Sequence, residues 1–161
     1  MFRPLHLIDR LVEMAPPARV RAIKAPSFGE QLYEDHFAGF PIMPGVLMVE
    51  SMVQSAQWLT RATEGFPAAD YPVARMERVV FSDYVRPGSV MDVEVERNDG
   101  LDFRGTVKVA GKKVASARFT LRRCELDAGR PAIRRAMERL IDTFECLGGR
   151  DLLGAGSEVG S

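Results

Sequence analysis

Residues 35–54 read DHFAGFPIMPGVLMVESMVQ, a loop rich in proline and glycine that leads directly into an apolar segment. The apolar segment, residues 46–59, contains neither proline nor glycine and is rich in Val and Met. A run of this length and composition predicts a buried helix that ends near Gly65. Because this is the longest apolar run of the chain, we expect the remaining elements to pack around it.

Shorter segments that mix apolar and charged residues lie on both sides of this helix. Two precede it and four follow it, at residues 6–13, 19–25, 73–84, 90–98, 101–110 and 113–121. Turn residues separate them, among them Pro16-Pro17, Pro87-Gly88 and Asp99-Gly100, as expected for strands joined by hairpins. The order predicts an α+β fold in which an antiparallel sheet wraps around one long central helix.

A second helix is predicted near the C-terminus, over residues 131–147. Its apolar side chains recur at helical spacing and form one stripe: Ile133, Met137, Leu140, Ile141, Phe144 and Leu147. The opposite face carries charges that include Arg134, Arg135 and Arg139. We therefore predict a main domain over residues 1–123, a helical extension over 124–147 and a disordered tail rich in Gly and Ser over 148–161.

Composition narrows the classes of function. The chain has 161 residues with 22 Lys and Arg against 22 Asp and Glu, and this balance does not indicate a nucleic-acid binder. Cys124 and Cys146 form neither a disulfide framework nor a metal-ligand spacing. The residues after Met1 contain no long apolar run of the kind that directs secretion. No apolar stretch of the sequence is long enough to span a membrane. We therefore expect a cytoplasmic protein.

Four polar residues interrupt the central helix at positions that share one face: Glu50, Gln54, Gln57 and Arg61. Such a stripe is usually the solvated face of an amphipathic helix. Here the other faces are almost wholly apolar, so the narrow stripe favours a functional site or a subunit interface. A carboxylate at position 50 is costly to bury unless it is paired, hydrogen-bonded or protonated.

Two residues of the preceding loop can carry chemistry. His36 is one of two histidines, and a lone loop histidine is more often structural or exposed than catalytic; His6, beside the first strand, is given no role. Gly45 follows Pro44 at the start of the helix, where its N–H is an unpaired donor at the positive end of the helix dipole. It can hold a developing oxyanion or be an ordinary helix start.

Taken together, these residues resemble the signature of the 3-hydroxyacyl-[acyl-carrier-protein] dehydratases. That family carries a Gly-His-Phe-Pro element, a Met-Pro-Gly-Val-Leu element, and a carboxylate followed by Ala-Met-x-Gln. The matching residues here are His36-Phe37, Met43-Pro44-Gly45-Val46-Leu47, and Glu50 with Met52 and Gln54. Weaker similarity runs from Pro4 to Leu121 and includes Phe81 and the Pro87-Gly88 turn.

The resemblance implies a hotdog fold and a homodimer whose active sites lie between subunits, and the sequence leaves open whether dimers form a higher oligomer. It implies dehydration of a 3-hydroxyacyl thioester to a trans-2-enoyl thioester in fatty-acid or related lipid or polyketide biosynthesis, on acyl carrier protein or coenzyme A. His36 of one chain and Glu50 of the other would be catalytic. Gly45 and Gln54 would bind substrate, Gly45 through its N–H and Gln54 by orienting Glu50 or bridging the dimer. No metal or cofactor is expected.

Three departures from the family pattern bear on activity. Asp35 replaces the glycine before the histidine, Ala38 replaces the proline after His-Phe, and Ser51 replaces the alanine after the carboxylate. Two alternatives therefore stand beside the dehydratase: a hotdog thioesterase in which Glu50 activates water, and a non-catalytic module that binds acyl thioesters.

Overall fold

The computed structural model describes residues 5–29 and 39–155. The helices are α1 (Gly45–Thr63), α2 (Pro131–Cys146) and α3 (Gly149–Ala155). The strands are β1 (Arg10–Ala15), β2 (Arg19–Lys24), β3 (Ala69–Asp70), β4 (Val73–Phe81), β5 (Met91–Asp99), β6 (Asp102–Val109), β7 (Lys112–Leu121) and β8 (Cys124–Glu125).

Six strands form one antiparallel sheet in the order β1-β2-β5-β6-β7-β4, and α1 packs against this sheet. In β5 the side chains of Met91, Val93 and Val95 are fully buried, while the alternate acidic side chains are partly or fully exposed. This alternation gives the sheet one apolar face and one solvated face. The predicted α+β fold with a sheet around a central helix is confirmed.

The close approach of α1 to the sheet depends on one glycine. Gly105 of β6 lies beneath Met52, and a Cβ built on Gly105 would stand 2.6 Å from the Met52 sulfur. No side chain other than hydrogen fits there unless the helix moves, so this contact fixes how deeply α1 sits in the sheet.

Helix α2 packs against the body of the domain through one aromatic residue. The Phe144 ring is 3% exposed and contacts the rings of Trp58 and Phe66 at centroid distances of 5.7 and 4.9 Å. Just after the helix, the Leu147 carbonyl accepts a hydrogen bond from the Leu11 N–H at 2.8 Å. Docking of an amphipathic stripe explains the stability of a helix that would be marginal alone.

The main differences between the structure and the sequence predictions lie at three places. Strand β1 begins at Arg10 rather than at His6, because the backbone at Leu5 and Leu7 bonds to a side chain of α1. A two-residue pair, β3 with β8, was not predicted. Helix α3 occupies residues 149–155 of the segment predicted as a disordered tail, and residues 156–161 lie outside the described part.

Candidate active site

Glu50 lies on the face of α1 that points away from the sheet, and its side chain is half-buried. Its Oε1 accepts a hydrogen bond of 3.0 Å from Nε2 of Gln54, one turn further along the helix. The i, i+4 spacing brings the two side chains together. The carboxyl group of Glu50 is therefore held in a defined orientation.

Gln54 uses its whole amide group. Besides the bond to Glu50, its Nε2 donates to the Leu5 carbonyl at 2.9 Å, and its Oε1 accepts from the Leu7 N–H at 3.0 Å. These two bonds draw residues 5–7 across α1 and satisfy backbone groups that would otherwise seek a strand partner. One side chain thus orients the carboxylate and positions the chain segment beside it.

A groove of about 420 Å³ runs along this face of α1. All four polar stripe residues line it, so the stripe faces a cavity rather than open solvent alone. Its walls come from residues 5–6, α1 and α2: Leu5, His6, Glu50, Gln54, Gln57, Trp58, Arg61 and Leu140. Sequence reasoning missed the contributions of His6 and Leu140, because neither is close in sequence to the central helix.

Arg61 lies at the opposite end of the groove from Glu50. Its side chain is only 7% exposed and bonds through Nη2 to the half-exposed Asp70 carboxylate at 3.0 Å. Burial lowers the pKa of this guanidinium, although the Asp70 charge opposes the shift, and an arginine stays cationic in proteins. The groove therefore has a carboxyl group at one end and a buried cation at the other.

Gly45 is the first residue of α1, directly after the N-cap Pro44. The Phe81 ring of β4 lies against it, so that a Cβ on Gly45 would stand 2.9 Å from the nearest ring carbon. A separate concavity of about 310 Å³ opens here, lined by residues that include Val46 and Tyr84. Only glycine allows both the Phe81 ring and a ligand to approach this backbone.

Gly45 and Glu50 are not brought together within one chain. At 3.6 residues per turn, five residues separate them by about 140° around the helix axis. Accordingly, Gly45 lines the concavity beside Phe81, whereas Glu50 lines the groove beside α2. A site that uses both groups on one substrate would need a second copy of the chain.

His36 lies outside the described residues, as do Asp35 and Ala38, which depart from the family pattern. Ser51 is described: its side chain is buried and donates a hydrogen bond to the Met48 carbonyl at 2.7 Å. The serine hydroxyl is therefore satisfied within the helix and does not point a free polar group into the site.

Among residues 5–29 and 39–155, no group of three or more His, Cys, Asp and Glu side chains is arranged to hold a metal ion. No helix within those ranges combines the length and apolar character that crossing a membrane requires.

Comparison with known proteins identifies the family. Residues 2–118 match the model of the FabA-like domain. The chain belongs to the FabA-like family. Among its FabA-like relatives, the 3-hydroxyacyl-[acyl-carrier-protein] dehydratase FabZ of Erythrobacter litoralis is 38% identical over 123 residues, which cover 73% of this chain and 82% of the relative. The FabZ of Psychromonas ingrahamii is 36% identical over 129 residues, covering 76% and 86%. The predicted family resemblance is confirmed.

Solved structures place this FabA-like chain in the hotdog fold. The dehydratase heterocomplex ApeI:P of Xenorhabdus doucetiae aligns with a TM-score of 0.56 at 15% identity, covering 69% of this chain and 95% of that one. A hypothetical thioesterase of Streptococcus pneumoniae aligns with a TM-score of 0.55 at 11% identity, covering 73% and 91%. At these identities the likeness concerns the fold, which dehydratases and thioesterases share.

Proposed function

We propose that this FabA-like protein removes water from a 3-hydroxyacyl thioester, carried by acyl carrier protein, to form the trans-2-enoyl thioester of fatty-acid or related biosynthesis. Curated relatives named as FabZ dehydratases support the reaction. The structural observation that carries the proposal is the Glu50 carboxyl group, held by Gln54 at the end of a groove with apolar walls.

The reaction requires two proton transfers at adjacent carbons. His36 takes the proton from C2, the C2–H electron pair forms the new double bond, and the C3–O bond breaks. Glu50 supplies the proton that lets the hydroxyl leave as water, either directly or through a water molecule. An acid and a base in separate positions divide these tasks, and each typically contributes about 10²–10⁴-fold in rate.

In this proposal the Gly45 N–H holds the thioester oxygen as negative charge develops on it. It lies at the positive end of the α1 dipole, without a Cβ to keep the substrate away. One preorganised donor of this kind is worth roughly 3–4 kcal/mol in the transition state.

The proposed active site is shared between two chains, because Gly45 and Glu50 of one chain face different cavities. Strand β4 lies at an edge of the sheet and exposes a row of large apolar side chains, a combination that favours pairing with another chain: Val73, Met76, Val79, Val80 and Phe81. Since the Phe81 ring also contacts Gly45, a partner bound at β4 would arrive beside the Gly45 N–H. Its Glu50 would complete the site.

We place the reaction in the cytoplasm, because both cysteines of the chain, Cys124 and Cys146, are free thiols.

The carrier and the exposed arginines of α2 are linked in this proposal. The acyl carrier proteins on which this family's substrates are carried are acidic. In this proposal the exposed Arg134, Arg135 and Arg139 steer the carrier protein towards the groove. Neighbouring acidic residues dilute this charge, so a solvated helix face is the alternative.

The deciding experiment offers 3-hydroxyacyl thioesters on carrier protein and on coenzyme A, and follows both enoyl formation and free thiol release. Enoyl product supports the dehydratase; thiol release without enoyl product would support a thioesterase; binding without turnover would leave an acyl-binding module. Folded His36→Ala and Glu50→Gln variants should each lose most of the activity. If dehydration activity is lost in His6→Gln but not in His36→Ala, His6 rather than His36 is the base.

Mixing tests the shared site. His36→Ala and Glu50→Gln chains, each inactive alone, should recover activity when dissociated and reassociated. A mixed dimer holds one intact site and one doubly altered site, so recovery reaches at most about half of the wild-type value. Demonstrated mixed dimers without any recovery would contradict a site shared between subunits.

A further inference from the structure

The far end of the groove carries a feature that the dehydration chemistry does not use. Arg61 is buried there, and its Nε–H makes no hydrogen bond within residues 5–29 and 39–155. Among the described residues, Arg61 forms a hydrogen bond to one carboxylate, that of Asp70, through its Nη2. A buried cation whose donors are not all used is unfavourable, and because the Arg61 side chain contributes to the wall of the groove, its guanidinium group can meet a ligand there.

The other amide donors along the stripe are engaged by the protein. Both Nε2 hydrogens of Gln54 serve Leu5 and Glu50, and Nε2 of Gln57 donates to the Tyr71 carbonyl at 3.0 Å. Between the ends of the groove the wall is largely apolar, with Leu5, Trp58 and Leu140 contributing to it. This arrangement suits a hydrocarbon chain with a polar atom at its end.

The guanidinium is held in place before any ligand arrives. Its Cζ lies 5.7 Å from the centre of the Trp58 ring and 5.4 Å from that of Tyr71. The Asp70 bond and these two rings restrict the rotamers of Arg61, so a ligand would lose little affinity to ordering it.

The length of the groove sets the length of the acyl chain that fits it. Eleven residues separate Glu50 from Arg61, a rise of about 16 Å along the helix. An extended carbon chain advances roughly 1.2 Å per bond, so about ten to thirteen bonds span the distance once side-chain reach is allowed for.

We propose that the groove holds an acyl chain of about twelve to fifteen carbons, with C3 at Glu50 and an oxygen atom of its distal end hydrogen-bonded to Arg61. The preferred substrate is then a 3-hydroxyacyl thioester whose far end carries a carboxylate or an ester rather than a methyl group. This inference rests on the proposed dehydration, since it assigns the substrate of that same site.

The test compares 3-hydroxyacyl thioesters on one carrier, with acyl chains of about eight to sixteen carbons. At each length the far end of the acyl chain is a methyl group, a carboxylate or a methyl ester. For the wild-type protein, kcat/KM of enoyl formation should be at least about tenfold higher for an oxygen-terminated chain than for its methyl partner. That factor corresponds to about 1.4 kcal/mol, the lower end for a hydrogen bond to a charged group. Preference for both polar ends supports hydrogen bonding; preference for carboxylate alone supports charge pairing at the same subsite.

Arg61→Met keeps a long side chain without donors and should bring the ratio of polar to methyl substrate down to one or below. The matched control is Arg97→Met. Arg97 also has a buried Nε without a partner in the described residues, but it bonds to Thr60 and does not line the groove, so the wild-type ratio should persist.

A wild-type protein that dehydrates the methyl-terminated chain equally well or better would overturn the subsite while leaving the dehydratase intact. An unchanged ratio in folded Arg61→Met would do the same. Absence of enoyl product from every chain would instead count against the proposed function. The wild-type ratio needs no variant, so the inference stays testable even if Arg61→Met does not fold.

Discussion

Replacing Gln54 by leucine tests the link between the fold and the candidate active site. The change keeps a side chain of similar size but removes three hydrogen bonds: one from the Leu7 N–H, one to the Leu5 carbonyl and one to the Glu50 carboxyl group. Leu7 is fully buried, so its N–H would be left without a partner.

The expected loss follows from those three bonds. Each is worth about 0.5–1.5 kcal/mol net, and a buried N–H left unsatisfied costs about 1–3 kcal/mol. The added apolar groups of leucine offset roughly 1 kcal/mol by removing area from water. We therefore expect the free energy of unfolding to fall by about 2–5 kcal/mol.

Urea unfolding followed by the fluorescence of Trp58, the single tryptophan of the chain, measures this loss. The matched control is Gln57→Leu on the same helix and groove, which loses a single bond, to the carbonyl of the buried Tyr71, and should cost less, about 1–3 kcal/mol. Folded Gln54→Leu should also lose more activity than Gln57→Leu, because Glu50 loses its orienting donor. Equal unfolding free energies for the two variants would contradict the role assigned to Gln54.

Three other outcomes are expected. Phe144→Ala should lower the free energy of unfolding by about 3–5 kcal/mol, measured by urea titration, because its ring is buried against two others; a change below about 1 kcal/mol would mean that α2 does not dock. Burial, aided by a glutamate hydrogen bond, raises the pKa of Tyr71 to about 12. Because the unfolded pKa lies near 10, its contribution to stability is complete below about pH 10 and is lost as pH rises towards 12. Thermal melts of Tyr71→Phe should lack that part of the alkaline loss, and an identical loss would assign it elsewhere. Replacing Arg134, Arg135 and Arg139 with Gln should raise KM for carrier-protein substrates at low salt but not for a coenzyme A analogue; unchanged kinetics on the carrier would leave α2 a structural element.

The strands and the central helix could be predicted because their patterns are local. Apolar residues alternate in β5, and the run after Gly45 is too long and apolar for a strand. The two-residue strands β3 and β8 could not be predicted, since so short a pair has no periodicity. The tail was predicted to be disordered from its composition. Composition carries no information on the packing of α3 against β1.

The polar stripe shows where sequence reasoning reaches its limit. Spacing alone put Glu50, Gln54 and Arg61 on one face of a helix, because 3.6 residues per turn is a property of the backbone. Whether that face met water, a cavity or another subunit depended on what packs beside it. Residues 5–6 and α2 come from the two ends of the chain, and contacts between distant segments leave no periodic trace.

The amino-acid sequence was sufficient for the family, for the order of the long elements and for naming candidate residues, since short-range periodicity and a long motif carry that information. Tertiary packing was needed to show that Gln54 ties Leu5 and Leu7 to Glu50, and that Arg61 ends the same groove. It also separated Gly45 from Glu50 into different cavities. The physical reason is that hydrogen-bond partners and cavity walls are set by the approach of segments far apart in the chain, which depends on how the whole core packs.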